Sequence, residues 1–113
     1  MYSLLMKLNA HIQAIYIAPS AGAPMQAVSR HAKVDANLGI EGDRYALGTG
    51  AYSDTKPTKI RHISLIALAG IEIANDWLRA GDEPIFDGAE THRNIVLEGI
   101  TANALNDLVG KQF

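Results

Sequence analysis

The chain has 113 residues, 48% of them hydrophobic and 19% charged, which fits one small globular domain with one core and argues against long disorder. Ten Lys and Arg against twelve Asp and Glu leave a net charge of −2, so no overall field draws in a nucleic-acid backbone or an anionic membrane, and an anion site has to be local. The absence of cysteine removes disulfides, thiolate metal sites and cysteine nucleophiles, which fits a cytoplasmic protein. The apolar N-terminal run is too short and its lysine wrongly placed for a signal peptide, and no stretch reaches the roughly 18 apolar residues of a membrane span.

In chain order, "AHIQAIYIA" (10–18) is rich in β-branched and aromatic residues and stops at Pro19, which predicts a first strand closed by the breaker cluster "PSAGAP". "MQAVSRHAKVDANLGIEGD" alternates as far as Val34 and then turns through Asp35, Asn37 and Gly39, a second strand running into a loop. "ALGTGAYSDTKPTK" (46–59) has no sustained period and reads as a long surface loop. "KIRHISLIAL" (59–68) returns to strand composition, with Ile63 and Leu65 on one face and Ile60, His62, Ser64 and Ile66 on the other. In "AGIEIANDWLRAG" (69–81) the period switches: Gly70, Ile71, Ala74, Trp77 and Leu78 form an apolar helical stripe, which predicts Trp77 in the core and a stop at Gly81. "HRNIVLEGI" (92–100) is a further strand. Thr101 then caps a short helix, "ANALNDLV", closed by Gly110, and 111–113 begin another strand. Several strands with two short helices point to a β-rich α+β or barrel-like domain.

Three motifs carry possible chemistry. "GIEGDRY" (39–45) is either an anion cradle, in which glycines let backbone N–H groups approach and Arg44 supplies a two-pronged donor, or a turn whose Asp43 and Arg44 pair with each other. No Lys-Ser/Thr follows to make a phosphate loop. Lys56, Lys59, Arg61 and His62 form a local positive patch fitted to a phosphate or carboxylate, or else a solvated charge run at a loop end. Arg93 and Asn94 near a strand start offer donors to a ligand, unless Arg93 is paired by Glu90 or Glu98. The four histidines have no H-x-H or H-x-x-x-H spacing, so no metal site is expected. No serine lies in a G-x-S-x-G elbow.

Together "GIEGDRY", "IRHISLIALAGIEIAND" and "ETHRNIVLEGITANALNDLVGKQF" resemble, in order and spacing, the MOSC family, the domains named for the C-terminus of molybdenum cofactor sulfurases. The resemblance covers about 39–113. It implies a β-barrel-like fold with peripheral helices, in a family linked to the molybdenum cofactor, to sulfur transfer and to reduction of N-hydroxylated compounds. Because the pterin of that cofactor, molybdopterin, carries a phosphate, the expected cofactor-binding residues are Arg44, Lys59, Arg61, His62, Arg93 and Asn94. The family's domains usually continue past "VGKQF" into strands that carry a cysteine.

The expectation is therefore a single truncated MOSC-like domain over 1–113, an incomplete barrel that lacks the family's cysteine-dependent chemistry and keeps part of an anion pocket for a small anionic ligand or pterin cofactor. Unpaired strand edges invite pairing, which predicts a homodimer or higher oligomer. The alternatives are a small active enzyme using His62 or Arg93 beside a full-length partner, and a structural or assembly protein.

Overall fold

A computed structural model describes residues 10–29, 31–54 and 62–108. The first predicted strand forms as β1, His11–Ile17, which ends where Pro19 removes a backbone donor. β1 is a central strand of a four-stranded sheet. On one side it pairs antiparallel with β2, Gln26–Ala27. On the other it pairs antiparallel with β6, Ile95–Glu98, with a bulge between Ile12 and Ala14. β5, Leu65–Ala67, completes the order β2-β1-β6-β5 and runs parallel to β6.

Parallel neighbours need a crossover. It is supplied by helix α2, Leu68–Ala80, which follows β5 without a break and ends at Gly81. α2 buries Ile71 and Asn75. Asn75 acts as a backbone mimic: its Nδ2 donates to the Phe86 carbonyl at 2.7 Å and its Oδ1 accepts from the Phe86 N–H at 3.1 Å, which fastens the 81–88 connection to the helix. A single 3₁₀ turn, Ala89–Thr91, leads back into β6.

Helix α3, Ala102–Asn106, starts where expected, with the Thr101 hydroxyl accepting from the Ala104 N–H. Leu108 beyond it joins Ala67, Leu97 and Ile100 in a buried cluster, against which Ala10, Leu65, Ile95, Ala104 and Leu105 pack. Val96, next to Leu97 in β6, is buried as well. Successive strand residues face opposite ways, so β6 is covered on both faces and is the middle of the core.

Three expectations are corrected. The alternation over 25–34 does not make one strand: after β2 the chain forms β3, Val34–Asp35, which folds back on β4, Gly39–Ile40, as a two-stranded ribbon. The reversal is local, since the Asp35 carboxylate accepts the Asn37 N–H at 2.8 Å and Gly39 takes φ 111°, a conformation open to glycine. The surface loop expected from residue 46 begins inside a four-residue helix, α1, Arg44–Leu47, closed by Gly48 at φ 76°. Trp77 is not a core residue but 78% exposed, because α2 turns its Ile71–Asn75 side to the sheet and leaves the Ile73–Trp77 side outside. The result is a small α+β domain with a mixed sheet, a two-stranded ribbon and three α-helices among the described residues. No closed barrel is formed by the described strands, and no described helix is long and apolar enough to cross a membrane. The strand expected over 111–113 lies outside the described residues.

Candidate functional site

"GIEGDRY" contributes β4, a tight turn and the start of α1. Asp43 is the N-cap of α1 in extended conformation, and it is fully buried. Its carboxylate is surrounded by donors: Oδ1 accepts from the Ala18 N–H at 3.1 Å and from Arg44 Nη1 at 3.0 Å, and Oδ2 accepts from the Tyr45 N–H at 3.3 Å. A buried carboxylate without such donors would be severely penalised. Arg44, 8% exposed, reaches further. Its Nη1 also donates to Met25 Sδ at 3.4 Å, its Nη2 donates to the His92 carbonyl at 3.1 Å, and its guanidinium carbon lies 5.1 Å from the Tyr45 ring centroid. One ion pair thus ties together the exit of β1, the entry to β2, helix α1 and the segment before β6.

A second buried polar centre lies beside it in the fold. Asn94, 1% exposed, donates from Nδ2 to the Tyr16 carbonyl at 3.0 Å, while its Oδ1 accepts from the Ser64 N–H at 3.1 Å and the Ser64 hydroxyl at 3.2 Å. The Asn94 N–H donates to Ser64 Oγ at 3.0 Å, and its carbonyl accepts from the Tyr16 N–H. The amide therefore joins the end of β1 to the starts of β5 and β6, beside the backbone bond from the Ile95 N–H to the Ser64 carbonyl. Gly39 brings the β3–β4 ribbon against the same edge: a Cβ there would stand 2.5 Å from the His62 backbone oxygen.

Of the six residues expected to bind a cofactor, the structure brings Arg44, His62, Arg93 and Asn94 to one end of the sheet, the end at which β1 finishes and β5 and β6 begin. Lys59 and Arg61, with Lys56, lie outside the described residues. The four do not have equal freedom. Arg44 and Asn94 are buried and their polar groups face protein partners, so the Asp43–Arg44 pairing raised by the sequence is the arrangement found. His62 is half-buried, while His92 and Arg93 are exposed. Arg93 enters no ion pair among the described residues: Glu90, one of its expected partners, instead exchanges reciprocal bonds with Asp87, each carboxylate accepting the other residue's N–H.

Met25, Tyr16 and the His92 carbonyl complete this centre and have no sequence signal of their own. They act through a thioether and through backbone atoms, which any residue can offer. Ser64 was legible as a neighbour of His62 on one strand face. His92 itself occupies a left-handed conformation at φ 55°, closing the 3₁₀ turn and directing its carbonyl to Arg44.

Among the described residues no three His, Asp or Glu side chains are grouped to hold a metal ion. What the arrangement offers is hydrogen-bond donors and one exposed guanidinium on a rigid base. Neither a protein-family model, nor a curated protein, nor a solved structure matches the chain.

Proposed function

We propose that this chain is a MOSC-like domain that binds a small anion, the phosphate of a pterin being the ligand class its sequence resemblance points to, at the sheet end formed by residues 62–64 and 92–94. The observation that supports this reading is the bond from Arg44 Nη2 to the His92 carbonyl, which anchors the segment bearing His92 and Arg93 to the "GIEGDRY" turn. The β5–β6 offset of 30 residues continues below the ladder, where Ser64 meets Asn94, and so brings His62 and His92 to the same end of the two strands.

The roles divide by burial. Asp43, Arg44 and Asn94 hold the platform. Arg93, exposed and free of an ion pair among the described residues, is the donor with a fork matched to phosphate oxygens, and His62 and His92 belong to the same end of the sheet. This donor set suits a phosphate. It holds no thiol, because these 113 residues include no cysteine, and no sulfur-transfer step is assigned to them. A bound pterin would supply its own redox or metal chemistry; the residues named here bind and orient.

Calorimetric titration with inorganic phosphate and with a phosphorylated pterin tests the reading. Saturable binding by the native chain is expected, reduced about tenfold or more in Arg93→Ala and partly retained in Arg93→Lys, as a lost charge-assisted pair requires. Absence of saturable binding of both probes by the natively folded chain overturns it and leaves a structural role ahead.

A further inference from the structure

The outer side of α2 carries a second feature unrelated to the sheet-end site. Residues four apart on a helix lie one above the other. Glu72 and Asp76 form one such row and Ile73 and Trp77 form the next, the two rows about 100° apart around the axis. All four residues are exposed, Ile73 at 59% and Trp77 at 78%, and Ala80 between the rows is exposed and small. The result is an acidic ridge running alongside an apolar ridge, with a shallow step at the end.

The charge along this stretch of chain is one-sided. From 72 to 90 the exposed carboxylates are Glu72, Asp76, Asp82, Glu83, Asp87 and Glu90, against Arg79 as the one basic residue. Arg79 is already turned to Asp76, Nη1 to Oδ1 at 3.1 Å, in a solvated pair that contributes little to stability. Tryptophan is the side chain most enriched among residues that dominate binding energy, and a solvent-facing one beside an isoleucine on a rigid helix has no packing role in this fold.

We propose that this face docks a basic amphipathic helix of a partner protein, whose apolar row lies on Ile73 and Trp77 and whose Lys or Arg row lies on Glu72 and Asp76. The argument for that occupant is charge complementarity in register: an apolar partner alone does not use the adjacent carboxylate row, and a basic partner alone does not cover the indole. Helix-on-helix recognition of this kind reads (i, i+4) anchors. Steering by Glu72, Asp76 and the net acidic charge of the 72–90 stretch would speed encounter and fall with salt.

Trp77 is the chain's one tryptophan, so its fluorescence reports directly on the face. Three synthetic peptides serve as probes: an amphipathic leucine-lysine helix, its glutamate-for-lysine twin, and a lysine helix whose leucines are replaced by alanine. The leucine-lysine peptide is expected to shift the emission to the blue and to bind about tenfold or more tighter than either control, weakening with salt and in Asp76→Lys and in Ile73→Ser. Both substituted positions are exposed, and far-UV circular dichroism verifies that the variants stay folded. Equal binding of all three peptides, or no shift with any, overturns the proposal. So does a blue shift that grows with protein concentration alone, which would make a second copy the occupant.

Discussion

The sheet end and the outer side of α2 invert the usual distribution of side chains. At the sheet end an aspartate, an arginine and an asparagine are buried almost completely. On α2 a tryptophan and an isoleucine face solvent. Burial here follows the supply of partners more closely than side-chain polarity. Asp43 enters the interior because three donors converge on it from the ends of β1 and α1. Asn94 enters because its amide fills the gaps left where three strands start or stop. Trp77 stays outside because the sheet-facing side of α2 is occupied by Ile71 and by Asn75, whose amide holds Phe86.

Neutralising one member of the buried ion pair has the largest expected effect. Asp43→Asn leaves the Arg44 guanidinium buried without its counter-charge and is expected to cost about 3–5 kcal/mol in urea unfolding. Asp43→Ala combined with Arg44→Met should cost less than the sum of the two single changes, since no uncompensated charge remains; strict additivity would mean the two side chains are not coupled. Next comes Gly39→Ala, expected to cost about 3 kcal/mol, because the new Cβ meets the His62 carbonyl and the residue is held at φ 111°. A melting temperature unchanged in that variant would show that the ribbon does not press on residue 62.

Asn94→Ala removes one side chain from three structural bonds and strands the Ser64 N–H and the Tyr16 carbonyl, at about 2 kcal/mol by thermal unfolding. Trp77→Ser has the smallest expected effect. It should change stability by less than about 0.5 kcal/mol, the range of surface substitutions, whereas a core tryptophan would cost about 3–5 kcal/mol on truncation. A loss in that higher range would return Trp77 to the core.

Much of the fold is legible in local sequence. β1, α2 and the start of α3 follow from β-branched composition, a 3.6-residue period and a Thr cap, each set by a few neighbouring residues. The ribbon at 34–40 was missed because alternation in "MQAVSRHAKV" resembles a continuous strand, while the Asx turn at Asp35 and the positive φ of Gly39 redirect the chain. For the site, the motif positions were legible and their roles were not. Residue type cannot separate an arginine that greets a ligand from one that is held by Asp43 and the His92 carbonyl, 48 residues away.

In "GIEGDRY" the glycine-bearing turn and the Asp43–Arg44 pairing were legible locally, because left-handed backbone is a property of glycine and the pair are chain neighbours, whereas helix α1 and its Asp43 cap were not. Size, charge balance and the absence of thiols were likewise fixed by composition. Long-range packing makes Arg44 and Asn94 interior braces, leaves Arg93 exposed, and splits the apolar stripe of α2 between a buried Ile71 and an exposed Trp77. The reason is that a 3.6-residue period states which residues share a side of a helix, but which of two apolar sides is covered depends on the sheet and the 81–88 connection packed against it.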